Sequence, residues 1–379
     1  MDFEFSQEQK MIQGMVRDFV KREVKPEIEE YEETESFPMP LVKKAAGLGL
    51  LGIIIPEKYG GAGADTISYC LMEEEIAKIS AGLGLIMSAN NSLSCTPILD
   101  HGTEEQKQKY LVPLAKGDKL GCWLLTEPGA GSDVAGIKST ARLEGNHWVL
   151  NGDKIFVTNG SVADICVGVF RTGPDRHKGL TAFIIESSSP GFEVTRVEKK
   201  MGLKCSLTAQ LFFNNCRIPK ENILGGEGQG FKIAMQTLNG GRVNIAAQSL
   251  GVAKGAFQEA LAYAQNREQF GKKISEFQAI QFMLSEMAME IEAAELMTYR
   301  AAWLIDRGLP FIKSASMAKA YASEMAERVA SKALQIFGGS GYLKPTLVER
   351  FYRDARVLQV YEGTSQIQRM IIFKELLKT

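Results

Sequence analysis

Trp148-Val149-Leu150-Asn151-Gly152-Asp153-Lys154-Ile155-Phe156-Val157-Thr158 interrupts a chain whose two ends read as helix. Trp148 to Leu150 and Ile155 to Thr158 are short runs of β-branched and aromatic residues, and Asn151-Gly152 supplies turn chemistry between them. The same texture recurs at residues 167–170, 181–185, 192–197 and 209–213, with Asn159-Gly160 as a second turn. These runs predict an antiparallel β domain over residues 120–225. No strand leads into GxGxxG and a helix, so a nicotinamide dinucleotide fold finds little support.

Helical patterns flank this segment. In residues 1–119, Ser6 with Gln9 suits a capping box ahead of Met11, Met15, Phe19 and Val20. Asp65 can cap the run through Ile67, Leu71 and Ile76, and Thr103 with Gln106 opens another helix. Proline and glycines make residues 56–63 a loop. In residues 226–379, long apolar stripes at 231–267 and 275–307 predict extended helices. A third, at 311–337, stops at Gly338-Gly339, a plausible C-cap.

At 379 residues the chain exceeds one comfortable core, which points to two or three folding units. A net charge of -1, with 44 basic residues among 45 acidic ones, offers no field for a nucleic acid. No apolar stretch is long enough to span a membrane. Cys70, Cys95, Cys122, Cys166, Cys205 and Cys216 form no CxxC pair and read as buried small hydrophobes in a reducing compartment. His101, His147 and His177 fall in no short metal motif, so no metal is expected. The opening Met1-Asp2-Phe3-Glu4-Phe5-Ser6 lacks a basic region followed by an apolar core, so no secretory signal is expected. The expected location is the cytoplasm in a bacterium, or the mitochondrial matrix for a eukaryotic mature form.

Two strings carry candidate chemistry. Tyr361-Glu362-Gly363-Thr364-Ser365-Gln366-Ile367-Gln368-Arg369 sets a carboxylate before glycine and two hydroxyls at the start of a final amphipathic helix. One reading is a helix cap by Thr364 or Ser365 with Glu362 facing water. The other gives Glu362 a proton to remove and uses Gly363 for close backbone approach. Trp123-Leu124-Leu125-Thr126-Glu127-Pro128-Gly129-Ala130-Gly131-Ser132-Asp133 is either a Pro-Gly turn entering the β domain or a cradle for a polyphosphate or flavin. Phe156-Val157-Thr158 is first of all a strand.

Together with 218–220, 230–238, 335–339 and 353–356, these strings make the whole chain resemble the acyl-CoA dehydrogenase family, particularly its short-chain branch. The resemblance implies an α+β fold: an N-terminal helical domain, a middle antiparallel β domain and a C-terminal four-helix bundle. It implies FAD as cofactor, an acyl-CoA substrate, electron-transferring flavoprotein as electron acceptor, and a homotetramer. Glu362 would be the catalytic base. Trp123, Leu125, Thr126, Ser132, Phe156, Val157 and Thr158 would embrace FAD. Arg267, Phe270, Gln278, Gln335, Ile336, Phe337, Gly338 and Gly339 would add contacts, some across a subunit interface, as would Thr364, Ser365 and Gln366. Ser132, Asn239, Gly240, Gly241, Arg242, Tyr361 and Gly363 would meet the acyl-CoA.

Blander roles compete: Arg267 as a solvated helix end, Gln278 completing a capping box with Ser275, Trp123 as core. Two positions depart from the family pattern. Phe156 stands where tryptophan is frequent, and Asn239 replaces an acid, losing a charge. Gly241 occupies the position where isovaleryl- and long-chain-type enzymes place their base, and Gly84 the position of a glutaryl-type arginine. These glycines argue against those branches, and Ile86 to Leu93 instead resembles the short-chain branch, which implies butyryl-CoA-like substrates. Short branched or cyclic acyl groups, an acyl-CoA oxidase and a non-catalytic flavin- or CoA-binding scaffold are the alternatives. The chain's end at Thr379, without the oxidases' larger extension, favours the dehydrogenase.

Overall fold

The computed structural model describes residues 4–378; Met1, Asp2, Phe3 and Thr379 lie outside them. Helices fill the N-terminal third. Ser6 and Gln9 make the reciprocal capping box that opens helix Gln7–Phe19, Asp65 caps Thr66–Ala77, and Thr103 pairs with Gln106. Helix Ala81–Ser88 then runs into a wider π-helical segment, Ala89–Cys95. Within it, the Asn90 amide donates to Leu51 O and Leu114 O, and its oxygen accepts from Gly121 N, tying this layer to the sheet.

The middle segment is one sheet of eight strands: β1 (Gly121–Leu124), β2 (Thr140–Glu144), β3 (His147–Thr158), β4 (Ile165–Arg171), β5 (Leu180–Glu186), β6 (Phe192–Val197), β7 (Thr208–Pro219) and β8 (Ile223–Leu224). The order is β6-β7-β3-β2-β4-β5-β8, with β1 beside β4. Most pairs are antiparallel, but β1 and β4 run parallel, and β2 meets β4 in parallel at Thr140 and Arg171. The sheet is therefore mixed. The β2–β3 hairpin lies between β1 and β4 in sequence and gives the long connection that a parallel pair needs.

Asn151-Gly152 does not turn the chain. β3 continues through it, with the register against β7 shifting between Leu150 and Gly152. Gly152 sits at φ 132°, and a β-carbon there would stand 2.4 Å from Ser139 Oγ. The glycine serves a bulge and a close approach rather than a hairpin.

Three long helices dominate the C-terminal third: Gly230–Asn266, Gln278–Asp306 and Ile312–Phe337. Two shorter ones, Leu347–Val357 and Ser365–Leu376, pack against them. Alanines make much of the shared core, among them Ala246, Ala253, Ala260, Ala322 and Ala330, and their small side chains let the helix axes approach closely. Gly338, at φ 60°, ends the third long helix where the glycine pair predicted. All six cysteines are buried and free. Among the described residues no helix is long and apolar enough to cross a membrane.

Candidate active site

Glu362 lies in the turn between helices Leu347–Val357 and Ser365–Leu376. Thr364 caps the latter, its hydroxyl accepting from Ile367 N at 3.3 Å. Glu362 and Gly363 both adopt left-handed backbone, φ 52° and 88°. That conformation costs little at glycine and is strained at glutamate. Three hydrogen bonds hold the turn: Gln368 Nε2 to Glu362 O (3.1 Å) and to Gly363 O (2.9 Å), and Lys319 Nζ to Gly363 O (2.7 Å). The cap and the inward carboxylate therefore coexist. Thr364 serves the helix while Glu362, half-buried, directs its Oε2 inward.

Glu362 Oε2 is buried and has no hydrogen-bond partner. Burial pushes its carboxyl up to about 7, against the opposing pull of Arg242 and Lys319. Burial likewise lowers Arg242, and brings Lys319 down to about 7 against the attraction of Glu362. The result is a desolvated carboxylate between two buried cations, poised to exchange a proton near neutrality.

Helix Gly230–Asn266 forms one wall of this site. Arg242 is only 3% exposed, and its guanidinium donates to Asn239 Oδ1 one turn back. The asparagine at that position therefore still accepts from the arginine, though without charge. Gly240 is exposed, and Gly241 is buried against Glu362. The Tyr361 hydroxyl donates to Gln248 Oε1 on the same helix.

A second group forms where β1 runs on beside β3. Thr126 O accepts from Ile155 N at 2.9 Å, joining the Trp123 string to the end of β3. The register of β3 against β7 shifts again between Lys154 and Val157, and Phe156 takes φ 57° with 65% of its surface exposed. This bulge turns an aromatic ring outward from a strand whose next residue, Val157, is buried. Trp123 and Leu125 are buried, Thr126 and Thr158 are half-buried, and Ser132 is exposed. Trp123 Nε1 has no partner. An outward aromatic face, a hydroxyl and an orphaned indole N–H suit a planar heteroaromatic cofactor with acceptor atoms. Beneath them, Lys154 Nζ meets Glu127 Oε1 at 2.8 Å, both side chains buried.

The third group lies elsewhere. Arg267, Phe270 and Gln278 are exposed at the connection between the first two long helices, with Phe270 94% exposed. Gln278 makes no capping box with Ser275, whose carbonyl instead accepts from Gln281 Nε2. Phe337 stacks on Tyr263, with ring centroids 4.1 Å apart, which brings Gln335 to Gly339 beside Arg267. Along the helix, Arg267 is about 39 Å from Gly241 at ~1.5 Å per residue. In the last helix Ser365 is buried, its Oγ without a partner, and Gln366 is exposed.

Lys319, Gln368 and Lys154 were not singled out by sequence. Lys319 carries the only available signal, a cation inside the small-residue run Ser314-Ala315-Ser316-Met317-Ala318-Lys319-Ala320.

Three family models match in succession: the acyl-CoA dehydrogenase N-terminal domain at residues 6–118, the middle domain at 122–216 and the C-terminal domain at 228–377. The chain is 49% identical over 373 residues to a short-chain specific acyl-CoA dehydrogenase of Clostridium acetobutylicum, covering 98% of each. It superposes on butyryl-CoA dehydrogenase from Megasphaera elsdenii with a TM-score of 0.98 at 43% identity, over the whole of both chains. A chain in a solved structure of the electron transferring flavoprotein of Acidaminococcus fermentans matches equally well, with a TM-score of 0.98 at 46% identity and full coverage of both.

Proposed function

The chain belongs to the acyl-CoA dehydrogenase family, and from that premise we propose that it oxidises short, butyryl-CoA-like acyl thioesters to trans-2-enoyl-CoA. The observation that carries this reading is the half-buried Glu362, whose Oε2 is buried without a hydrogen-bond partner near the cations Arg242 and Lys319. Glu362 takes the proton from the α-carbon, which the thioester acidifies. Its backbone N–H polarises the thioester oxygen, where negative charge develops. The left-handed turn, fixed by Gln368 and Lys319, sets the carboxylate's direction before the substrate arrives. Asn239, Arg242 and Ser132 address the CoA portion.

FAD, when bound, supplies the acceptor for the hydride leaving the β-carbon. Trp123, Leu125, Thr126, Ser132 and Phe156 to Thr158 hold it on the β-domain side, and Thr364 to Gln366 from the last helix. Arg267 lies at the far end of helix Gly230–Asn266 from Gly241, with Phe270 and Gln278 on the connection beyond it and Gln335 to Gly339 packed nearby, so this group serves the cofactor of another copy. This arrangement supports an oligomer, which we read as a homotetramer built from paired dimers. Helix Gln278–Asp306 supports it by exposing Phe282, Met289, Leu296 and Trp303, one residue in every seven. Such a stripe seeks a partner helix. The working units are residues 1–119, 120–225 and 226–379. Electrons pass on to an electron-transferring flavoprotein. The free buried thiols suit the cytoplasm of a bacterium or a mitochondrial matrix.

The visible spectrum tests the reading. Purified protein should be yellow and bleach when butyryl-CoA is added, and electron-flavoprotein should reoxidise it much faster than oxygen does. A colourless protein would overturn the enzyme reading, and rapid reoxidation by oxygen would favour an oxidase. Sedimentation showing an active, flavin-loaded monomer would remove the tetramer.

A further inference from the structure

Three consecutive glutamates, Glu73-Glu74-Glu75, occupy helix Thr66–Ala77, and all three are buried. Two are neutralised. Glu74 binds Lys254 (2.8 Å) and Lys78 (3.1 Å) and accepts from Tyr299 OH. Glu75 binds Arg17 (2.8 Å) and Lys78 (2.9 Å). Glu73 is 0% exposed, and neither of its oxygens has a hydrogen-bond partner. Burial pushes its carboxyl up to about 8, with the Asn244 and Gln248 amides opposing the shift. Those amides have other acceptors: Asn244 Nδ2 donates to Ser88 Oγ, and Gln248 Nε2 to Ala81 O.

The location of Glu73 gives this carboxyl its meaning. Gly241, Asn244 and Gln248 follow one another at i, i+3 and i+7 on helix Gly230–Asn266 and so share one face. Gly241 packs on the Glu362 carboxylate, while Asn244 and Gln248 stand beside Glu73. Gln248 also accepts from Tyr361, the neighbour of Glu362. Glu73 thus lies about one to two helical turns, of roughly 5.4 Å each, beyond the catalytic carboxylate. The other wall there is Gly84, where a β-carbon would stand 2.2 Å from Glu73 Oε1. Asn244 Oδ1 and the Tyr69 hydroxyl are likewise buried without partners. With the Glu73 carboxyl protonated near neutrality, its carbonyl oxygen and Asn244 Oδ1 remain as two unmet acceptors, which a ligand's donor can reach.

We infer that Glu73 is a specificity-determining residue, selecting short acyl-CoA thioesters whose distal end carries a hydrogen-bond donor, a hydroxyl or an ammonium group. This rests on the acyl-CoA reading of the Glu362 site. A donor at the chain's end meets Glu73 and Asn244 Oδ1, whereas an unsubstituted methyl leaves both unpaired. A site built to hydrogen-bond its substrate rejects the analogue lacking the group far more strongly than an apolar pocket rejects a missing methylene.

The experiment compares kcat/KM for pentanoyl-, 5-hydroxypentanoyl- and 5-aminopentanoyl-CoA, with butyryl-CoA as reference, using flavin-loaded enzyme and an artificial electron acceptor. At least one donor-bearing chain should exceed pentanoyl-CoA by tenfold or more, and Glu73→Met should abolish that preference while retaining flavin. Glu73→Gln keeps an acceptor oxygen, so it should preserve a preference for the hydroxyl and lose one for the ammonium. It also serves as the second variant should Glu73→Met fail to fold. Parent enzyme that prefers pentanoyl-CoA to both donor-bearing chains overturns the inference, as does a preference unchanged in the variants. If butyryl-CoA reacts in those cases, the proposed function survives. If no thioester bleaches the flavin, both readings fall.

Discussion

Gly241 lies against the carboxylate of Glu362: a β-carbon built on the glycine would stand 3.1 Å from Glu362 Oε2. The two positions at which the family resemblance places a base therefore address one point in space from different elements, a helix and a turn. Adding the second carboxylate would crowd the first and set like charges side by side. Gly241→Glu alone should therefore fold but lose activity by about tenfold or more, the scale of misplacing a reacting group. Combined with Glu362→Gly, it should recover measurable flavin reduction. A double variant as inert as Glu362→Gly alone, though folded and flavin-loaded, would show that the two positions do not reach the same proton.

Glu362→Gln keeps the side chain's bulk and loses its proton acceptor. It should retain flavin, bind butyryl-CoA and lose nearly all bleaching in stopped flow, a deficit of roughly 10²–10⁴-fold for a lost general base. Stability should move the other way. The carboxyl of Glu362 is raised from 4.5 to about 7 on folding, so its contribution is fully present below pH 4.5 and lost as pH rises through about 7. Thermal unfolding should find the glutamine variant more resistant than the parent at pH 8, with the gap closing near pH 4.

With Glu362 as the proposed base, only its ionised form takes the proton, so the rate of flavin reduction should climb as pH rises through about 7 and then level. Lys319 loses its own charge in the same range, and the profile should be broader than a one-proton curve. Because Lys319 draws the Glu362 carboxyl downward, Lys319→Met should shift the midpoint to higher pH. A midpoint unmoved in that variant would mean that Lys319 only holds the turn through Gly363 O.

Lys154, on β3, and Glu127, within the Trp123 string, are buried together. Lys154 also donates to Val169 O (2.7 Å), and Glu127 accepts from Lys138 N (2.7 Å) and Ser139 N (3.0 Å). Removing one partner strands a buried charge, at a cost of about 3–5 kcal/mol. Lys154→Met should lower the urea midpoint accordingly and weaken flavin retention, since Thr126 and Ile155 are joined just above the pair. Unfolding indistinguishable from the parent would mean that Glu127 is adequately served by its two backbone donors.

The sequence by itself determined the elements whose signals are local. The Ser6–Gln9 and Thr103–Gln106 boxes, the Thr364 cap and the Gly338 stop each depend on partners within a few residues, so spacing alone exposes them. The string around Glu362 marked the carboxylate proposed as the base, and the order of the helical and β segments marked the fold. Tertiary structure decided the rest, because burial and distant partners are not written in any one segment. Asn151-Gly152 became a bulge because β3 pairs on through it with β7 and Gly152 must clear Ser139. Lys319 became part of the site because its helix packs beside the Glu362 turn. In Glu73-Glu74-Glu75, three identical side chains met different fates. Lys254 and Arg17 from other elements, with Lys78 at the end of the same helix, reach the second and third, and none is paired with the first.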